Sequence, residues 1–354
     1  MAGILRFHVR SDHAIYTIEG VKPLANLLHE IEVIERIRRN EQGSGFFDGA
    51  SASVEATATG LENLVTHPVD SAKGIGKAAG KIGSGIAGLF REKETGEQSS
   101  FGEKLLGSNE RELAKQFGVD VYTTNPHLKE LLQKMARARL GGKSAVVIIQ
   151  LLIPVAAVAS VALTAGSING VADELVNDSS REELYRLNKE ALLQMGWDES
   201  TVQKISDLSG FSPREQTYLR FYLERFHAVP GVRPIVTNLL SAQSAWEMRR
   251  ELYELEMAAA LGEKKTPVQL WDFPEGLAFL DLERRLFYFS AYDDLEKGLG
   301  KSILNQVRKL QEESKAISVE IYNSGGISET ILSKAAREGI QTHAWAFFTG
   351  DLKK

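Results

Sequence analysis

Gly83, Gly85 and Gly88 stand at the spacing G-x-G-x-x-G, which in a βαβ unit lets backbone amides hold a pyrophosphate at a helix amino terminus. That chemistry needs a buried strand before the glycines and a helix after them. Here "GKAAGKI" precedes and "LFREKETGEQ" follows, and neither has that character. "GGKS" at 141–144 ends like a phosphate-binding loop, yet the first glycine of that motif would fall on Arg137. The histidines at 8, 13, 29, 67, 127, 227 and 343 have no metal-ligand spacing, and no G-x-S-x-G elbow occurs. With no cysteine there is no thiolate nucleophile, disulfide or Cys-ligated zinc. Adjacent acids, Asp293 with Asp294 and Glu312 with Glu313, read as solvated helix ends. "IYNSGGISET" (321–330) reads as strand, turn and helix start, so Ser324, Gly325 and Gly326 form a candidate anion-binding turn. No catalytic residue, metal ligand or cofactor is assigned.

The same glycine stretch has a second chemistry. On a helical wheel over 73–90, Ile75, Ala79, Ile82, Ile86, Leu89 and Phe90 fall in one arc. Lys73, Lys77 and Lys81 occupy the opposite arc, with no acidic residue between 72 and 90. A cationic face opposite an apolar stripe is the pattern of an interfacial membrane helix. Six glycines make such a helix unfavourable in water by about 6 kcal/mol, so it forms only where its apolar side is buried. An anionic bilayer supplies that burial and attracts each lysine by about 1 kcal/mol. The protein's own body could bury the stripe instead. The expected membrane contacts are Lys73, Ile75, Lys77, Lys81, Ile82, Ile86, Leu89 and Phe90.

A second apolar element follows at 144–172, twenty-nine residues without a formal charge. About 20 apolar residues cross a bilayer. Arg137, Arg139 and Lys143 would place the amino-terminal flank in the cytoplasm. Gln150, Pro154 and the alanine-rich second half fit a buried, broken helix equally. Both readings stay open.

Around these segments the chain is ordinary in composition, with 43% hydrophobic and 25% charged residues and a net charge of −5. That acidic balance argues against nucleic acid as a partner. The amino terminus has no apolar run long enough for a signal peptide, because Arg6, Arg10 and Asp12 interrupt it. Either the protein is not exported or its leader has been removed.

The alternation of Ala14 to Glu19 predicts a strand, and Leu24, Leu27, Leu28, Ile31, Ile34 and Ile37 predict an amphipathic helix opened by Pro23. Residues 40–53 read as a linker. Ser108 then starts one helix, and Asn125 with Pro126 another. Ser180 with Glu183, and Ser212 with Glu215, are capping boxes, and a long helix is expected from about Pro234 to Leu261. After Pro267, "VQLWDFP", "GLAFLDL", "RRLFYFSAY", "AISVEIYN" and "IQTHAWAFF" are strand-like, with helices over Leu295–Glu313 and "SETILSKAAREG". The last βαβ unit should pair in parallel. His29 and His227 fall on helices and His343 in a strand, as structural residues, while Trp197, Trp246, Trp271 and Trp345 suit core or subunit contacts.

The expected fold is α+β, mainly α: a helical body with a glycine-rich amphipathic helix, then a small carboxyl-terminal α+β domain with a mixed sheet. Its divisions are 1–40, 41–107, 108–265 and 266–354.

"LAKQFGVDVYTTNPHLKELLQKMA" (113–136), the uncharged run, "REELYRLNKEALLQMG" (181–196), "SPREQTYL" (212–219) and "ISETILSKAAREGIQ" (327–341) resemble a group of uncharacterised bacterial proteins that commonly begin with an export signal. The resemblance implies a cell-envelope location, membrane-associated or periplasmic, and carries no catalytic residues. Residues 60–90 are similar to glycine-rich amphipathic segments of eukaryotic bridge-like lipid-transfer proteins, where such helices meet membranes. The leading expectation is a non-enzymatic, membrane-associated envelope protein that contacts an anionic lipid surface and a protein partner or second copy. A soluble, cytoplasmic enzyme with a site between the helical and α+β domains is one alternative. A soluble oligomeric scaffold is another.

Overall fold

The computed structural model describes residues 4–44, 101–140, 168–295 and 297–345, which carry eleven helices and nine strands. The expected membrane contacts at 73–90, and residues 144–167 of the uncharged run, lie outside these residues. The chain is α+β and mainly α. It divides into two compact units, one of 1–31 with 155–354 and one of 32–154.

β1 (Arg6–Arg10) and β2 (Ile15–Glu19) form an antiparallel hairpin whose turn is closed by Ser11, its Oγ accepting from the amides of His13 and Ala14. Only β2 was legible in the sequence. In β1, Phe7 and Val9 alternate with Arg6, His8 and Arg10, three polar residues that hide a strand of five. α1 (Val21–Ser44) opens at Gly20, whose φ of +94° and closeness to the Trp246 ring both demand glycine. The helix continues past residue 40, where a linker was expected.

In the unit of 32–154, α2 (Phe101–Phe117) and α3 (Pro126–Leu140) pack with the later turns of α1. Val33, Ile34 and Ile37 meet Leu113, Phe117, Leu128, Leu131, Leu132 and Met135 in one core. α2 starts at Phe101, so Ser108 is inside the helix rather than its cap; Leu106 packs on this core and carries the apolar spacing upstream. Asn125 does cap α3, its side-chain oxygen accepting from the amides of His127 and Leu128.

In the other unit, α4 (Ile168–Asp178), α5 (Arg181–Gln194), α6 (Glu199–Ser206), α7 (Pro213–Phe226), α8 (Val232–Ser241) and α9 (Ala245–Gly262) follow in order. Ser212 and Glu215 form the full capping box of α7, and Ser180 accepts from the Glu183 amide. The long helix expected over 234–261 is broken between α8 and α9. Ser244 caps α9 by accepting from the Glu247 amide, and Glu247 accepts in turn from the Gln243 amide at 2.6 Å. This S-x-x-E pair makes a new start more favourable than continuation. α4 is tied down by polar groups: Asp173 accepts from Arg214 and Tyr218, and Asn169 bridges Tyr222 and Glu256.

The sheet has the order β3 (Pro267–Phe273), β4 (Gly276–Asp281), β5 (Arg285–Ser290), β7 (Ser318–Asn323), β9 (Gln341–Ala344). β3, β4 and β5 pair antiparallel, while β5, β7 and β9 pair in parallel. The crossovers are α10 (Lys297–Ser314) and α11 (Glu329–Arg337), and β6 (Asp294–Leu295) pairs with β8 (Gly326–Ile327) in a small second sheet. Strand alternation divides the residues between two cores. Leu277, Phe279, Phe287 and Phe289 pack with α7, α8 and α9; Ala278, Leu286, Tyr288, Val319 and Ile321 pack with α10 and α11. The sheet is thus the middle of three layers.

Candidate functional site

α9 lies against the sheet and is buried on almost every side, including three charged residues: Arg250, Glu251 and Glu254. A buried charge is costly unless it is paired. Arg250 is the hub. Its Nη2 donates to Glu251 Oε1 at 2.8 Å, and its Nη1 donates to the Pro274 carbonyl and to Tyr292 Oη at 3.3 Å. The Tyr292 ring lies 5.9 Å from the guanidinium. Glu254 Oε1 accepts from the Ala291 amide at 3.2 Å, and Asp272 Oδ2 accepts from Asn238 Nδ2 at 2.7 Å. Helices α8 and α9 are thereby joined to β3 and to the loop after β5.

Three atoms of this group, Glu254 Oε2, Asp272 Oδ1 and Arg250 Nε, have no hydrogen-bond partner among the described residues. The electrostatics follow from that. Burial pushes the Glu254 carboxyl well above the usual range, Arg250 opposes, and the charge of Glu251 adds to the rise. Burial and the neighbouring Asp272 push Glu251 up to about 7 against the pull of Arg250. Asp272 is raised by burial, with Asn238 and Arg250 opposing. For Arg250 burial works against the charge, but Glu254, Tyr292 and Glu251 outweigh it, so its pKa is raised. The group is therefore one fixed cation among carboxyls whose protonated forms burial favours. Such a carboxylic acid can donate or accept a proton. Among the described residues no group of three or more His, Asp or Glu is arranged to hold a metal ion.

A second set of polar residues gathers where β5 and β7 end. Asp293 is buried, a correction to its expected place at a solvated helix end. Its Oδ2 accepts from the Leu5 amide and its Oδ1 from the Val21 amide, both at 2.9 Å, so it caps α1 and holds the start of the hairpin. Ser324, Gly325 and Gly326 pack on the same loop. The Ser324 amide donates to Ser290 O at 3.0 Å and the Gly326 amide to Asp293 O at 2.9 Å. A Cβ on Gly325 would lie 2.0 Å from Asp293 O, so glycine is required by close approach. Two of the three amides are thus engaged by backbone carbonyls.

His343 on β9 stacks on Tyr322 with ring centroids 4.6 Å apart, and its Nε2 is 3.1 Å from Glu320 Oε2 without hydrogen-bond alignment. Tyr322 Oη donates to the same oxygen at 2.8 Å. His227 Nδ1 contacts the Glu224 carbonyl at 2.8 Å, beyond the end of α7. Trp197 and Trp246 are core residues, and Trp271 and Trp345 pack at core margins. The Arg250 group had no sequence signal as a site: "MRRELYELEM" reads as an ordinary charged stripe, and only the covering strands reveal its burial.

Comparison with protein-family models, with curated proteins and with solved structures yields no match to the chain. The two resemblances above rest on the quoted stretches alone.

Proposed function

We propose that the protein is a non-enzymatic, membrane-associated protein of the bacterial cell envelope, with residues 73–90 lying in an anionic lipid interface and the α+β part meeting a protein partner. One sequence observation carries this reading: on a helical wheel three lysines fall opposite Ile75, Ile82, Ile86, Leu89 and Phe90, in a segment with no acidic residue. No helix among the described residues is long and apolar enough to cross a membrane, so the reading asks for surface attachment and does not rest on a span. The test is flotation of the full chain with vesicles of phosphatidylcholine and phosphatidylglycerol. Lys73, Lys77 and Lys81→Glu should weaken binding by about a hundredfold, at roughly 1 kcal/mol for each lysine. Equal flotation of variant and parent overturns the reading.

A soluble enzyme is the second reading, favoured by the Arg250 group at the junction of α9 and the sheet. Glu251, held at about 7, has the pKa of a general base or acid at neutral pH. A thermal-shift screen of small carboxylates, amines and sugars tests it. A compound that raises the melting temperature of the parent and not of Glu251→Gln supports an active site there.

A further inference from the structure

We propose that the free edge of the sheet pairs with the same edge of a second copy, β9 against β9 around a twofold axis at His343, with α11 packing on its counterpart. This names the partner of the α+β part in the reading above, and it rests on that part of the reading alone, not on lipid. The two edges of the sheet differ. At the β3 edge the Leu270 amide donates to Pro230 O at 2.8 Å, Gly231 lies against the Leu270 carbonyl, and Asn238 holds Asp272. β9 pairs with β7, and among the described residues no backbone group pairs with its outer side. Edge strands that must stay unpaired are commonly guarded by lysine, proline or a bulge. β9 reads Gln-Thr-His-Ala, with no such guard, and its register with β7 is unbroken.

Backbone parity fixes how a second β9 fits. The Trp345 amide donates to Asn323 O at 2.7 Å, so residue 345, and 343 two before it, direct their peptide groups toward β7. Thr342 and Ala344 therefore direct theirs outward. In an antiparallel pair centred on His343, Thr342 of each copy meets Ala344 of the other, and their amides and carbonyls satisfy one another. The two imidazoles then stand side by side. They extend a ring ladder that each copy already holds, Phe289 to Tyr322 at 5.7 Å and Tyr322 to His343 at 4.6 Å. Glu320 Oε2, 3.1 Å from His343 Nε2, gives each imidazole a carboxylate from its own chain, so a charge on either ring is balanced.

The helical layer supplies a second contact. Ile331 and Ala335 of α11 face the sheet, and Glu338 at its end pairs with Arg308 of α10 at 2.9 Å, which marks the flank turned to α10. At about 100° per residue, Leu332 and Ala336 fall on the opposite flank, the one above the β9 edge. Both are exposed, Leu332 at 38%. α11 crosses from β7 to β9, so the two copies of it lie about two strand spacings apart, roughly 10 Å, the distance at which helices pack. Thr342 and Ala344, both small, lie on the sheet face beneath that joint. The axis makes the helices antiparallel, which turns Glu329 at the start of one toward Arg337 at the end of the other. A stable interface takes about 800 Å² from each partner around an apolar centre. The strand edge does not supply that centre by itself; the Leu332 flank on one face and the ring ladder on the other extend it. A foreign strand can use the outward amides of β9, but only a second copy brings the matching flank and the opposite charges.

The absence of cysteine allows a direct test on the full chain. His343→Cys should form an intermolecular disulfide with oxidised glutathione, because residues that face each other across the axis have Cα atoms about 4.5 Å apart, within reach of an S–S bond. Gln341→Cys, which faces Trp345 of the other copy, should not. Sedimentation of the parent without detergent or vesicles should give a mass that doubles as concentration rises. Thr342→Pro removes an outward amide, a change that a free edge tolerates, and Leu332→Glu sets like charges across the axis. Each should weaken self-association by about tenfold or more, with thermal unfolding of the dilute chain unchanged. A parent that stays monomeric, a dimer that both variants leave intact, or cross-linking at 341 in preference to 343 overturns the proposal. Each of those outcomes leaves the flotation of residues 73–90 with vesicles standing, so the two readings fail separately.

Discussion

At Glu254 the fold encloses a carboxyl whose burial outweighs the help of Arg250 and the Ala291 amide, so its pKa is raised well above the usual range. Glu251 and Glu254 are both raised in the folded chain, so the folded state holds protons that the unfolded chain releases above about pH 4. Stability from these groups is therefore fully present below that pH and falls as pH rises toward 7, where Glu251 titrates, with Glu254 extending the fall. Glu251→Gln with Glu254→Gln should flatten this slope, and urea midpoints at pH 5 and pH 8 for parent and variant check it. Arg250→Met should do the opposite and cost about 3–5 kcal/mol, because carboxyls are left buried without their cation. None of this was legible in "MRRELYELEM". Arg250, Glu251 and Glu254 follow helical spacing, and their burial comes from Asp272, Pro274 and Ala291, which lie at least 18 positions away in the chain.

Elements were legible where their signals are local. Ser212 with Glu215, and Asn125 before Pro126, satisfy amides within three residues of themselves, and sequence alone predicts those starts. The break before α9 is equally local but was hidden by apolar spacing that runs through it. Ser244→Ala should cost about 1 kcal/mol, read as a shifted urea midpoint, because the Glu247 amide loses its acceptor. The hairpin is held in a way no local pattern reveals. Asp293 reaches the amides of Leu5 and Val21 across 288 and 272 positions. Asp293→Ala should leave the sheet intact and raise amide hydrogen exchange at Leu5, Val21 and the strands between them. Exchange that rises equally in β5 and β7 would mean that Asp293 supports the sheet and not the hairpin.

Taken whole, the unit of 1–31 with 155–354 is built around a sheet that two helical layers share. The change from helical spacing to strand alternation after Pro267 is plain in the sequence, yet the alternation does not say which layer each face meets. Phe279 settles the matter for one face. Its ring lies 4.9 Å from Phe287 and 5.4 Å from Phe289, in the same core as Leu219 and Phe226 of α7, Val236 of α8 and Leu255 of α9. Residues on both sides of 265 therefore bury their apolar surface against each other, and neither the strands β3–β5 nor helices α7–α9 can keep that core alone. Phe279→Ala should cost about 3–5 kcal/mol. It should lower the melting of the helical and the near-ultraviolet aromatic signals together. Were the helices to melt at their original temperature while the aromatic signal is lost early, α7–α9 would be stable without the strands, and the shared core would not be what joins them.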